Sequence, residues 1–581
     1  MMNRLFTSLC MLLLSLLCNM TYAQDLGQIG INKGFKLNGS INTNSVFYTA
    51  SGLQSGRRDP FSTYLTGNLT INAFGYSVPF SFSYANKQKS FSQPFNQFSF
   101  SPQYKWIKAY IGYSSMSFSN YTLASYVFSG GGVELSPGKW HVAAMYGRLK
   151  KAVEYNVNDL RTENSAAFKR LGYGAKVGYE TNGDLYSVNL FTAKDDLNSI
   201  ALVPPGGILT PKQNITGSVT LRKKLFKNIS AEAEYAVSAI NTDMTANRGV
   251  LDDTIKKSKN LLGRLLPANG TTKYFDALNS SIGYQGKGYG LQLRYERVAP
   301  EYETLGAYYF NNDFENITIA PNIQLFQSRL NLTANIGSQR NNLDRNKNST
   351  TSRFVGSFNL AYLPNDKWNF TGSYSNFSTY TNIKPQQDPF FVNELEKLNF
   401  YQINNTYNAV TGYNFGTENV RKGLLLTLSY QKASDKSTDS NNPNNNLSDF
   451  YTGNIGYNHT IISKDLGFNG GFNYYSSTIN KLNSIFWGPS LAINKAFLNK
   501  VLKASLSSSY NNTSGTAGAG NSVLNARASA GYTPKFSRKS LGNHTLSLSL
   551  NYLKRFTETN TITTINGFRE FTTTGNYTYS F

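Results

Sequence analysis

Apolar and polar side chains trade places residue by residue along much of this chain. Ile215, Gly217, Val219 and Leu221 share one parity, and Thr216, Ser218, Thr220 and Arg222 the other. The same rhythm sets Ile229, Ala231, Ala233, Tyr235 and Val237 against Ser230, Glu232, Glu234 and Ala236. Tyr289, Leu291, Leu293 and Tyr295 alternate with Gly290, Gln292 and Arg294, and Leu546, Leu548, Leu550 and Tyr552 with Ser547, Ser549 and Asn551. A period of two belongs to a strand, whose successive side chains point to opposite faces. A helix would spread the same residues around its circumference and bury charge with them. The pattern predicts strands that are wet on one face and apolar on the other.

The connections carry a second rhythm. Short turns are expected at Phe74-Gly75, Ser136-Pro137-Gly138-Lys139, Asn182-Gly183, Gly286-Lys287-Gly288, Pro364-Asn365-Asp366-Lys367 and Ser463-Lys464-Asp465. Several have the Gly, Pro and Asn chemistry of tight hairpins. Longer polar segments lie between them, among them 150–167, 196–212, 240–273, 379–397 and 433–448. Alternation of long and short connections is how a transmembrane barrel runs, with long loops outside and tight turns in the periplasm. Segment counting predicts an all-β fold: a single antiparallel up-and-down barrel of about 26 strands, an even number that brings both termini to one side. The alternation is weakest in 95–117 and 398–432, where the count is softest.

The N-terminus precedes the fold. Arg4 supplies a basic start, Leu12 to Leu17 most of an apolar stretch, and Thr21-Tyr22-Ala23 small residues before Gln24. This is the pattern of a cleaved secretory signal, residues 1–23. Cys18 raises the alternative of a lipoprotein, but Leu17 stands where such signals carry a small residue. Both cysteines, Cys10 and Cys18, fall in this segment. Disulfides and thiolate metal sites are therefore excluded from the mature chain. Residues 24–33 read as a short periplasmic lead and 34–581 as the barrel, with Gly34 to Val46 as its first strand. So short a lead leaves no room for a globular plug, and no peptidoglycan-binding domain is expected after the final strand.

Composition sharpens the picture. The chain has 39 Tyr and 38 Phe, yet its mean hydropathy is negative. A barrel reconciles the two, because only alternate strand residues meet lipid and aromatics gather at the interfaces. At the C-terminus Phe571, Thr573, Gly575, Tyr577, Tyr579 and Phe581 share one parity. This resembles the closing strand of Gram-negative outer-membrane barrels. The resemblance implies export to the outer membrane, contact with its lipid, and a terminal Phe581 read by the barrel-assembly machinery. The Asn- and Tyr-rich composition is similar to that of Bacteroidetes barrels.

Lipid-facing parity assigns the opposite parity to the interior. There lie Lys36, Lys176, Arg222, Arg294, Lys503 and Arg527, opposed by Glu232, Glu234 and Glu296. Charge on the lipid side would cost about 2–4 kcal/mol at midplane. One reading of these groups is a cation-rich passage for anionic solutes. The plainer one is a set of cross-strand pairs, such as Arg222 with Glu232 or Glu234, that hold register. The net charge of +23 has a similar plain source. Lys139, Lys223, Lys224, Lys227, Lys535, Arg538 and Lys539 fall mainly at the periplasmic rim, facing lipid headgroups or an acidic partner. No compact basic motif with stacking aromatics points to nucleic acid.

Catalysis and cofactors are not expected. His141, His459 and His544 are the only histidines, each beside a short turn and separated in sequence, which suits rim residues better than catalysts or metal ligands. Among the loops, Asp252 to Leu266 has the spacing of a short amphipathic helix, either narrowing the pore or docking at the rim. Asp435, Asp439 and Asp449 lack the spacing of a calcium loop. Asp388-Pro389-Phe390-Phe391 places aromatics on a polar loop, the mark of a contact site.

Two function classes remain. With ~4.8 Å between strands and a tilt of ~40°, 26 strands enclose a cylinder on the order of 50 Å across. Something must occupy it: inward loops, a flattened section, or a partner protein acting as a plug. The largest barrels, including the one that inserts lipopolysaccharide and those that export proteins, are similar in lacking an N-terminal plug and using a partner. The chain is thus expected to be a gated or partner-plugged conduit or, alternatively, a non-conducting anchor for surface or periplasmic proteins. The purified protein should require detergent and show a circular dichroism spectrum dominated by strand. A soluble or mainly helical protein would overturn this reading.

Overall fold

A computed structural model describes residues 35–581, except 54–56, 74–75, 87–95, 157–165, 208, 248–265, 309–310, 347–351, 377–402, 436–445, 480–481, 517–519, 536–541, 557, 560–563 and 566. The expected signal segment, the Phe74-Gly75 turn, most of Asp252–Leu266, Asp388–Phe391, Asp439, Arg538 and Lys539 lie outside the described residues.

Twenty-six antiparallel strands close into one barrel. The first, Lys36–Ser51, pairs with its successor Phe61–Ala73 and also with the last, Phe568–Ser580. The seam runs from Ser40 opposite Ser580 to Ser51 opposite Arg569. It ends where the Gly39 and Phe581 backbones exchange two hydrogen bonds of 3.0 Å. Each strand therefore has two partners and no edge is left open. The first strand begins two residues later than its sequence pattern suggests and runs five residues further. No helix among the described residues is long and apolar enough to cross a membrane, which says nothing of crossing by strands.

Neighbouring strands are joined mostly by tight turns at one end and longer connections at the other. All the short turns read from the sequence and described here lie at the first end, as do Lys139, Lys223, Lys224, Lys227 and Lys535. The alternation has three exceptions. The links at 480–481 and 516–520 are short at the loop end, and 533–542 is long at the turn end. Weak alternation in 95–117 has a local cause: one strand is split into Gln97–Phe100 and Gln103–Tyr104. Pro102 lies in the break, where it has no amide to donate to a ladder.

The outer face is an aliphatic band, exposed at Val188, Leu190, Val219, Leu221, Leu291, Leu293, Leu546 and Leu548. Aromatic pairs bracket it. Tyr76 stacks on Tyr104 (4.0 Å) and Trp368 lies against Tyr413 (4.4 Å) at the turn end. Tyr374, Tyr407, Tyr430 and Tyr451 form a run of neighbouring rings towards the loop end. Six residues separate Trp368 from Tyr374, about 20 Å along a strand. Two aromatic girdles around an apolar belt form the surface of an outer-membrane-type barrel.

Two turns are unusual. Phe326, Gln327 and Ser328 all have positive φ (52°, 57°, 67°), as do Leu498, Asn499 and Lys500 (53°, 54°, 71°). L-residues pay for that conformation through crowding of Cβ on the following carbonyl. Gln327→Gly should therefore stabilise the barrel by roughly 0.5–1 kcal/mol, the relieved strain less glycine's larger loss of backbone freedom. Urea unfolding in lipid vesicles would measure it, and a destabilised variant would contradict the assignment.

Candidate functional site

Two loop-end connections turn back into the lumen. Residues 117–125 join Ile107–Met116 to Tyr126–Leu135, and residues 299–313 join Tyr289–Val298 to Phe314–Leu325. They are bound to one another. Tyr302 Oη donates to the Tyr121 carbonyl (2.7 Å), Thr304 Oγ1 to that of Thr122 (2.9 Å), and the Ala124 amide to that of Gly306 (2.9 Å). Tyr308 stacks on Tyr126 at 4.0 Å, and its hydroxyl accepts the Val127 amide at 3.1 Å.

The wall holds the pair through its inner-face groups. Lys176 Nζ donates to the Phe118 carbonyl (3.0 Å), Ser238 Oγ to that of Glu303 (2.7 Å), and the Leu305 amide to Asn214 Oδ1 (3.0 Å). Tyr121 Oη reaches Glu296 at 2.7 Å. Beneath these bonds lies an apolar core inside the barrel. Met116, Phe118 and Leu123 from the first loop region and Leu305 from the second bury against Phe128, Leu149, Phe191 and Ile240 of the wall. Burying each large side chain of this kind contributes about 1.5–3 kcal/mol, so the loops are firmly seated. Close approach requires glycine beneath them. A Cβ at Gly174 would lie 2.7 Å from the Phe118 ring, and one at Gly172 would lie 2.8 Å from Leu149.

The interior charges divide between two regions of wall. Lys176, Arg222, Glu232, Glu234, Arg294 and Glu296 lie on the arc that seats the loops. Arg222 pairs with Glu232 (2.9 Å), Arg294 with Glu296 (3.0 Å), and Glu234 sits beside Ser119 and Ser218. A further pair, not singled out from the sequence, is the most enclosed: Arg170 grips Asp195 through two bonds of 2.7 and 2.9 Å, with 10% and 3% of the side chains exposed. Asp195 also accepts the Lys212 amide at 2.9 Å. Lys36 and Lys503 lie on the inner face of other strands towards the turn end, and Arg527 lies between the ends. The nine groups are not one site.

Around the remaining wall the inner face is mostly neutral among the described residues, with Lys36, Lys503 and Arg527 among its charged groups. From Leu330–Arg340 round to Tyr76–Ala85 the inward positions are mostly Asn, Ser and Thr. Asn359 Nδ2 donates to Thr333 Oγ1 (3.4 Å), Asn408 Nδ2 to Ser373 Oγ (3.2 Å), and Ser505 and Ser529 share a 2.6 Å bond. These six positions are half-buried or exposed, although Ser448, Ser477, Asn525 and Asn551 of the same wall are buried; beneath the loops Asn189, Asn214 and Thr216 are fully buried.

Other candidates resolve simply. His141 does have neighbours absent from its sequence surroundings: Ser136 Oγ lies 3.1 Å from Nδ1 and Glu180 is 3.4 Å from Nε2. Ser136 and Glu180 are exposed and His141 half-buried at the turn end, without the water-excluded setting that strengthens such an array. His459 and His544 contact Tyr457 and Tyr577. Asp449 accepts the Tyr430 hydroxyl at 2.7 Å. Among the described residues no group of three or more His, Cys, Asp or Glu could hold a metal ion.

The loop pair was the feature missed in the sequence. Its signal is loss of alternation in the wall: Val188 and Leu190 face out while Phe191 and Ala193 face in. A strand that is apolar on both faces has something covering its inner one.

No protein-family model matches the chain, and no curated protein matches it in sequence. Solved structures resemble it at the level of fold. The P pilus usher (PapC) translocation pore is 11% identical, with 94% of this chain and 99% of that chain covered and a TM-score of 0.34. The FrpB iron transporter from Neisseria meningitidis (F3-3 variant) is 11% identical, covering 93% and 81%, with a TM-score of 0.37. Acinetobacter baumannii OccAB2 is 9% identical, covering 69% and 98%, with a TM-score of 0.27. Likenesses this distant concern barrel architecture alone and carry no argument about activity.

Removing one partner of an enclosed ion pair leaves the other charge uncompensated. Asp195→Asn should cost about 3–5 kcal/mol by leaving the Arg170 charge unpaired, and should loosen residues 299–313 through Lys212, whose amide Asp195 accepts and whose ammonium holds Glu303 at 2.9 Å. Glu301→Gln, at an exposed partner of Lys273, should leave stability unchanged. Limited proteolysis within 299–313, alongside thermal unfolding in detergent, separates the two variants. Equal behaviour would refute the seat.

Proposed function

We propose that this chain is an outer-membrane conduit whose lumen is narrowed by its own loops 117–125 and 299–313. The observation that carries the reading is the internal core under those loops. A backbone cylinder on the order of 50 Å across would breach the membrane if unobstructed. Here chain that could lie outside is instead bonded along one arc of the interior. An anchor needs its loops displayed to partners; a conduit needs its bore reduced.

The rest of the reading follows from the sequence. Residues 1–23 direct export and are removed before Gln24. Phe581, paired to the first strand, is the residue the assembly machinery reads, and Bacteroidetes is the source the composition suggests. The girdles meet outer-membrane lipid, and the basic turn end faces anionic headgroups or an acidic periplasmic partner, including a separate plug protein. The function is passage without chemistry, so neither cofactor nor catalytic residue is assigned.

Replacing Ala299–Asp313 by a short Gly-Ser linker should raise single-channel conductance in planar bilayers at least twofold over the intact protein, with heat-modifiable migration in gels confirming that the barrel has folded. If neither folded form conducts, the anchor reading replaces this one, and stoichiometric capture of a partner from detergent extracts becomes its test.

A further inference from the structure

The arc that carries most of the interior charge is also the arc the loops cover. Lys176 and Glu296 hold loop atoms directly, Arg222 and Arg294 are paired with glutamates, and Arg170 and Asp195 are enclosed. Arg222, Glu232 and Arg294 stay part-exposed within their pairs, so water inside the barrel borders these paired groups and the other arc. On that other arc the accessible inner side chains are mostly neutral amides and hydroxyls, with Asn359, Asn469 and Asn494 exposed beside the apolar Leu425. Among the described residues, charged inner groups of that arc stand towards its ends, Lys36, Arg421 and Lys503 at the turn end and Arg555 and Glu570 at the loop end, with Arg527 between.

From this division we infer that the passage serves uncharged polyhydroxylated solutes, that is, saccharides, rather than ions or charged metabolites. The inference rests on the conduit reading above. An asparagine amide has two N–H donors and a carbonyl with two lone pairs. The cross-strand bond from Asn359 to Thr333, or from Asn408 to Ser373, uses one donor. The remaining donor and the carbonyl are left to the lumen. A sugar hydroxyl both donates and accepts, so it can exchange hydrogen bonds with such groups at each step along the wall. Each exchange replaces one water bond by one of similar strength, which lets a solute enter without being trapped. Between the ends of this wall a carboxylate meets one opposite charge among the described residues, Arg527, and an ammonium group meets none, so neither finds a continuous replacement for its hydration. The covered arc cannot supply one, because its charges are already paired.

The test uses the full-length mature protein in liposomes. Swelling rates are compared for maltotriose, for its aldonic acid at neutral pH, and for polyethylene glycol of equal hydrodynamic radius, which accepts hydrogen bonds but has no donors along its chain. Maltotriose should enter at least threefold faster than either of the others. Asn359→Asp with Asn494→Asp, which removes amide donors and places carboxylates on this arc, should slow the aldonic acid at least threefold more than it slows maltotriose. Equal entry of all three solutes, or faster entry of the acid, would overturn the saccharide assignment while leaving the conduit standing. Absence of swelling with every solute, together with absence of ionic current, would instead remove the conduit and this inference with it.

Discussion

A bilayer offers no water to an unpaired backbone amide or carbonyl, and every other feature of this protein follows from meeting that demand. Strands satisfy their backbone groups only through neighbours, so a sheet in lipid must close on itself. Here closure is made by Lys36–Ser51 and Phe568–Ser580, with Gly39 and Phe581 completing the seam. Once the sheet is closed, the two faces of each strand are committed. Leu, Val and Ile meet acyl chains, and Asn, Ser and Thr meet the interior. The tyrosine run from Tyr374 to Tyr451 marks the level at which one solvent gives way to the other.

Closure with this many strands creates its own difficulty, because the enclosed bore is too wide to be filled by wall side chains. The protein answers by building a second hydrophobic core inside the first structure. Phe118, Leu123 and Leu305 would be poor choices for an external loop; against Phe191 and Leu149 they bury instead. The inner face beneath them departs from the polar rule, with glycine where the backbone must be approached and apolar side chains where the loops rest. Polar bonds from Ser238 and Asn214 to loop backbone then satisfy groups that burial would otherwise leave stranded.

Charge follows the same logic. A paired and enclosed group such as Asp195 acts on the wall and the loops that surround it, not on a solute in the bore. The chain's large positive excess is therefore a poor guide to what passes through it. Much of that excess sits at the turn end, where Lys139, Lys223, Lys224 and Lys227 lie close to the membrane surface. Neutral side chains on the uncovered arc shape the passage more directly.

Alternation of side chains was enough to determine the strands, the faces of Arg222, Glu232 and Glu234, and the short turns at Asn182-Gly183 and Gly286–Gly288. Those are consequences of neighbours in the chain, and a period of two is visible without knowing what any strand touches. The cross-strand partner of Arg222 was narrowed to two glutamates on the same grounds, and geometry selected Glu232. What the sequence did not reveal was the meeting of residues 117–125 with residues 299–313, or of Asp195 with the Lys212 amide. Such contacts join segments far apart along the chain, across a lumen whose width exists only once the sheet has closed. Local pattern holds no record of which loop bends inwards; apolar inner positions such as Phe191, Ala193 and Ile240 are its trace. Tertiary structure decided the rest, because only the closed barrel brings those distant surfaces within reach of each other.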